Sequence, residues 1–243
     1  MHHVVLERWS RGATWLHRRD PRAKMFALAV FLVTLATSRR NLPVLAAMLF
    51  ALLLAALVRA RIPARSALLR AGVVFTFTVP FAAISFLTGD PARATSMLLK
   101  SYLSALAALL VVSTTPVAVV LRGLEAAGAP RFLLMVAQFL YRYLFVISEE
   151  AQHMRKAAVA RGATARGLAG RQERFRAAAG AVGALFARSY GRAEDIHRAM
   201  LARGFTGRFP AMQELRFGRA DAVFAALAAA APVLARVAAE RAV

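Results

Sequence analysis

Five stretches of this chain run for 14 residues or more without a charged side chain, and they constrain its fold more than any other feature. They are Met25–Ser38, Leu42–Val58, Ala71–Thr88, Ser101–Leu121 and Ala222–Ala235, of 14, 17, 18, 21 and 14 residues. A helix crosses a bilayer with about 20 apolar residues, within a usual range of ~17–25. The third and fourth stretches meet that length outright. The two shortest match a buried core helix as well as a span, although flanking arginines that reach toward the headgroups can lengthen a short crossing. Pro80 and Pro232 fall inside such stretches and are tolerated where neighbouring helices satisfy the freed carbonyls.

Composition supports lipid as part of the solvent. The chain is 59% hydrophobic and 19% charged, where soluble domains carry about a quarter charged residues. Its 33 basic residues against 12 acidic ones give a formal net charge of +21. Such a balance suits either nucleic acid or an anionic membrane face with acidic partners. Placement decides between them. Counted from the N-terminus, the segments between the apolar stretches hold 6, 2, 4, 2 and 17 Lys and Arg, with two more after the last stretch. This alternation is the positive-inside pattern, with a cytoplasmic N-terminus and a large cytoplasmic segment before the last span. The aromatic residues are mostly Phe, half of them inside the apolar stretches, and not stacking platforms among basic residues, so nucleic-acid binding is excluded. The N-terminus is too polar for a secretory leader, and the first apolar stretch is expected to serve as an uncleaved anchor.

Residues 116–218 are rich in helix formers. Thr115-Pro116 reads as an N-cap followed by a first helical residue, and Gly128 closes that short helix. Pro130 opens a long helix over Phe132–Arg161, stopped by Gly162. Residues 162–171 read as a connector. A second long helix runs over Glu173–Arg203 and stops at Gly204, with Gly207 and Pro210 as further breakers. The first long helix is apolar nearly all round up to Leu140, as for a segment buried in protein or lying in the membrane interface. From Glu149 it is amphipathic and charged.

Both long helices end in one tripeptide: Ala160-Arg161-Gly162 and Ala202-Arg203-Gly204. Capping explains it well, because Arg in a last turn favours the helix dipole and Gly suits the next position. The same geometry projects a guanidinium with no side chain beside it, fit to enter a groove on a partner and bond acidic groups or carbonyls there. A third copy, Ala165-Arg166-Gly167, lies in the connector.

Several chemistries are excluded. Cysteine is absent, so there is no thiolate site. No Lys follows a Gly, so there is no phosphate-binding loop, and neither G-x-S-x-G nor H-E-x-x-H occurs. His153 and His197 have no second His one turn on. His2 and His3 carry imidazoles of the kind that bind cobalt or nickel, but a terminal tail without a role is the preferred reading. No catalytic residue, metal site or cofactor is expected.

The paired tripeptides about forty residues apart, together with Asp20-Pro21-Arg22-Ala23-Lys24, Tyr141-Arg142-Tyr143-Leu144-Phe145, Glu149-Glu150-Ala151-Gln152-His153-Met154-Arg155, Arg188-Ser189-Tyr190-Gly191-Arg192-Ala193-Glu194 and Ala199-Met200-Leu201-Ala202-Arg203-Gly204, resemble the T component of energy-coupling factor transporters. The resemblance is greatest to its cobalt-type branch, CbiQ. It implies a non-catalytic coupling subunit of an ATP-driven uptake transporter in the inner membrane of a prokaryote. Its partners would be two cytoplasmic ATP-binding subunits and a substrate-binding integral membrane subunit of cobalt or nickel type. Ala160, Arg161 and Gly162, with Ala202, Arg203 and Gly204, would be the ATPase-coupling residues. A nickel or vitamin transporter uses similar subunits, and a stand-alone permease is the other alternative.

The expected fold is therefore all-α: a polytopic membrane protein with about five transmembrane helices and a cytoplasmic coupling domain of two long helices plus a short one. Residues 1–121 would form the first transmembrane region (spans 25–38, 42–58, 71–88 and 101–121), residues 122–218 the coupling helices, and residues 219–243 a last transmembrane helix.

Overall fold

A computed structural model describes residues 9, 10, 12, 14–38, 41–161, 168–207 and 217–241. Their regular structure is helical throughout: α1 (Pro21–Thr37), α2 (Leu42–Arg59), α3 (Ala64–Ala71), α4 (Phe75–Leu87), α5 (Pro91–Thr114), α6 (Val117–Ala126), α7 (Arg131–Ala160), α8 (Leu168–Ala202) and α9 (Arg219–Arg241). A short 3₁₀ turn over Gly72–Val74 joins α3 to α4, making one continuous rod. By length and composition five helices can cross a membrane: α2, the α3–α4 rod, α5, α7 and α9. The protein is a polytopic all-α membrane protein.

The chain forms two compact units. The first holds α1–α6 and α9, with its core on α1, α2 and α5. On α2 the buried residues are Leu45, Leu49, Leu53 and Leu57, four apart and so on one face. Val44, Met48, Leu52 and Val58 face outward on the same helix. A helix apolar on every side, with only one side covered by protein, is what a bilayer requires. Lipid tails are as apolar as leucine, so the buried face holds by close packing and not by escape from water. Gly123 permits one such approach: a Cβ there would lie 2.8 Å from the Met25 side chain, where α6 rests on α1.

Contacts at the helix ends fix directions within this bundle. The Asp20 N–H donates to Asp221 at the start of α9. At the other end the Arg236 guanidinium donates to Thr37, and Asn41 to the Ala239 carbonyl. α1 and α9 therefore run parallel. α1 has 17 residues, near the lower limit for a span, but it runs beside α9 between the same two ends. Lys100 Nζ donates to the Ala36 and Ser38 carbonyls and so satisfies acceptors at the C-terminus of α1.

Several boundaries differ from the sequence reading. The apolar stretch 101–121 is not one span. α5 starts at Pro91, with Asp90 capping its N-terminus, and stops at Thr114. Ser113 and Thr114 turn their hydroxyls back onto the Leu109 and Leu110 carbonyls, Thr115 is extended, and Pro116 offers no N–H. Pro116 itself is the N-cap of α6 and not its first residue. The span expected at 71–88 begins at Ala64, and that expected at 222–235 extends over Arg219–Arg241. The connector expected through residue 171 is already helical from Leu168.

The second unit comprises residues 130–214 and contains α7 and α8. Among the described residues of α7 only Leu134 is buried. Phe132, Leu133 and Leu140 on α7, and Phe175, Val182 and Phe186 on α8, are exposed.

Candidate functional site

The tips of α7 and α8 carry the expected site. Arg161 caps α7 with φ −87° and ψ 12°, and its N–H returns to the Ala157 carbonyl at 3.1 Å. Gly162, His2, His3, Pro210 and the third tripeptide, 165–167, lie outside the described residues. At the end of α8 the chain closes with paired bonds, Gly204 N–H to Leu201 O at 2.9 Å and Phe205 N–H to Met200 O at 3.0 Å. This closure needs a left-handed residue at position 204, and Gly204 supplies φ +74°. A Cβ at 204 would meet nothing within 4 Å, so the glycine is required by its backbone and not by crowding.

Ala160, Arg161, Ala202, Arg203 and Gly204 are all exposed. Among the described residues no acidic side chain pairs with Arg161 or Arg203. An exposed, unpaired guanidinium keeps five donors available for an incoming carboxylate or carbonyl. α7 and α8 are held together by Glu150 and Arg188, 2.5 Å apart. From that contact Arg161 lies about 16 Å along α7 and Arg203 about 22 Å along α8, at 1.5 Å per residue. Glu194 and Arg198 form a local pair one turn apart at 3.3 Å, exposed on both sides.

The structure also places a buried polar knot that the sequence reading did not single out as a site. Asp20 accepts from the Arg22 N–H at 2.8 Å and so caps α1. One turn on, Lys24 is 3% exposed, and its ammonium donates to Thr114 O at 2.9 Å and Thr115 Oγ1 at 3.1 Å. Asp221 accepts the Asp20 N–H at 3.2 Å and pairs with Arg19 at 3.6 Å. The knot joins the start of α1, the α5–α6 break and the start of α9. Its sequence signal is Asp-Pro before a helix with a lysine one turn on; the partners lie 90 and 201 residues away.

A model of the CbiQ family, described as a cobalt transport protein, matches residues 12–215. An uncharacterised protein of Methanocaldococcus jannaschii is 25% identical over 224 residues, covering 84% of this chain and 76% of its own length. The cobalt transport protein CbiQ of Rhodobacter capsulatus is 30% identical over 150 residues, covering 59% of this chain and 60% of its own length. The family match takes in α1 to α8, with the Lys24 end of the polar knot and both arginine-tipped helices, and stops before α9; the chain belongs to the CbiQ family of cobalt transport proteins.

Proposed function

We propose that this membrane component is the coupling subunit of an ATP-driven, energy-coupling-factor type uptake transporter for cobalt. In this reading it neither hydrolyses ATP nor holds the ion. Arg161 and Arg203 enter grooves on two cytoplasmic ATP-binding subunits. Movement of α7 and α8 then passes to a substrate-binding integral membrane subunit. The observation that carries the reading is the pair of exposed guanidiniums, without acidic partners among the described residues, one at the tip of each of the two longest helices.

The course of the chain supports it. α1, α2, the α3–α4 rod and α5 make four passes, and Lys24 ties the end of α5 to the end of the bundle where α1 begins. α9 starts at that same end, beside Asp20. The chain therefore leaves and re-enters the bundle at one end, and a single crossing by α7 does not fit that return. Arg142, two residues past the apolar stretch that ends at Leu140, also argues against a crossing, since Arg near a span centre costs up to about 2.5–3.5 kcal/mol on insertion scales. α7 is better suited to the interface, with its apolar half against headgroups or protein. The positive-inside counts support a cytoplasmic placement of this end, in the proposed setting of a prokaryotic inner membrane. Lys24 and Lys100 are held by backbone carbonyls, which leaves them poorly suited to a permease's ion path.

The test is co-purification. The chain is co-expressed with the ATP-binding and metal-binding proteins encoded beside it, and wild type is compared with the Arg161→Glu, Arg203→Glu double variant. ATP-binding subunits retained by wild type and lost from the variant, with cobalt uptake lost and membrane insertion kept, are the expected result. Normal uptake by the double variant removes the coupling role. Uptake of nickel or a vitamin in place of cobalt corrects the cargo alone.

A further inference from the structure

We propose that the bundle holds one anionic phospholipid, its phosphate between Arg59 and Arg61 and an acyl chain in the cleft between α1, α2, α5 and α9. Two adjoining cavities carry the proposal. The first, about 570 Å³, is bounded by Trp9, Thr14, Trp15, His17, Arg59 and Arg61. The second, about 410 Å³, is almost wholly apolar, with Phe31, Leu53, Leu110 and Ala228 among its walls. Trp15 and Arg59 line both, so a chamber of mixed polarity, carrying the arginines, adjoins an apolar slot. That is the shape of an amphiphile's binding site, and each volume is in the range of small-molecule sites, roughly 300–1,000 Å³.

The depth agrees. Along α1 the slot runs from Lys24 to Phe31, about 10 Å at 1.5 Å per residue. Leu52 and Leu227 on its walls are exposed, so the slot reaches the lipid-facing surface. The chamber holds both tryptophans of the chain, and Trp settles at headgroup depth. Trp15 stands edge-on to Phe224 at 5.4 Å between chamber and slot.

The charge specifies an anion. Among the described residues neither Arg59 nor Arg61 has an acidic partner, whereas Lys24, also at the slot, is occupied by Thr114 and Thr115. Both ring nitrogens of His17 are engaged, by Thr14 and by the Trp9 carbonyl. The two arginines are thus the free cations of the chamber among the described residues. Arg61 has φ +54° at the close of α2, a position that glycine fills most cheaply. Its left-handed backbone is fixed by the Arg61 and Ile62 N–H bonds to Val58 and Leu57. A zwitterionic lipid carries its own cation and would gain less from this pair. The site stands on the bundle alone and is independent of the coupling role.

The experiment uses the full chain, stripped of lipid in detergent and titrated with phosphatidylglycerol or phosphatidylcholine. Bound lipid is counted by native mass spectrometry, and the unfolding midpoint is followed in parallel. One phosphatidylglycerol per chain and a raised midpoint are expected, with no such effect of phosphatidylcholine. Arg59→Gln with Arg61→Gln is expected to weaken retention about tenfold, as is Ala228→Phe, which fills the slot. Arg192→Gln with Arg198→Gln, the same charge loss on α8, is expected to change nothing. Equal retention of both lipids, or unchanged retention in the first two variants, overturns the proposal. So does an equal rise in midpoint with inorganic phosphate alone, which would make the chamber a free-anion site. If either variant fails to fold, the wild-type comparison of the two lipids and phosphate still decides.

Discussion

Within the bundle, α2 alone hides Leu45, Leu49, Leu53 and Leu57 against its neighbours. In the second unit, the 30 residues of α7 hide Leu134 and leave Phe132, Leu133 and Leu140 exposed. The two regions use similar apolar side chains, so hydrophobicity does not distinguish them. They differ in how far each unit covers its own apolar side chains. The bundle is internally packed and stapled at both ends. Within their own unit α7 and α8 leave much of their apolar surface uncovered, as an element with few buried contacts does.

The exposed tips separate the two regions most strongly. Arg161→Glu with Arg203→Glu is expected to reduce ATPase co-purification and cobalt uptake by at least about a hundredfold, because each lost charge-assisted contact becomes a repulsion. The unfolding midpoint of the isolated chain should not move. Next come paired apolar truncations. Leu49→Ala, in the bundle core, is expected to destabilise the isolated chain by about 2–4 kcal/mol, while Phe186→Ala stays within about 0.5 kcal/mol. Denaturation in mild detergent measures both; equal losses would mean that the two regions are packed alike. Lys24→Met keeps much of the volume but leaves Thr114 O and Thr115 without their donor, and is expected to cost about 1–3 kcal/mol by the same measurement. Gly204→Ala forces a left-handed alanine at the tip of α8 and is expected to cost about 1 kcal/mol of local stability, with Gly204→Asn milder; amide exchange near residue 204 reads it. Smallest is Glu150→Gln at the α7–α8 contact. Its partner Arg188 is 65% exposed, and the change should stay under about 1 kcal/mol and vanish at high salt.

How far the sequence could be read follows the range of the forces. The spans at α2 and α9 and the ends of α7 and α8 depend on local properties: apolar run length, a glycine that permits φ +74°, a proline without an N–H. The end of α5 was misjudged because apolarity alone continued to Leu121, while the break comes from hydroxyls and Pro116 acting on the backbone. α5 also begins ten residues before its apolar stretch, where Asp90 caps it, and Lys100, which looks like the boundary of a span, lies inside the helix and donates to the Ala36 and Ser38 carbonyls. The polar knot could not be assembled from sequence, since Lys24, Thr114 and Asp221 meet only after the chain has folded across the membrane. The two Ala-Arg-Gly ends were visible as a repeated motif, yet their spacing from the α7–α8 contact depends on a pairing of residues 150 and 188 that no local pattern announces.

The Lys24 ammonium also has a consequence for biosynthesis. It emerges from the ribosome 90 residues before the Thr114 carbonyl that receives it. Until then a cation at the first turn of α1, with only the His17 carbonyl and nearby Asp20 for company, resists entry into hydrocarbon and favours the headgroup layer. α1 is thus held at its final depth by its own charge while α2 to α5 are made. When the end of α5 arrives that charge meets the Thr114 and Thr115 oxygens, well before α9 is made to complete the bundle beside α1.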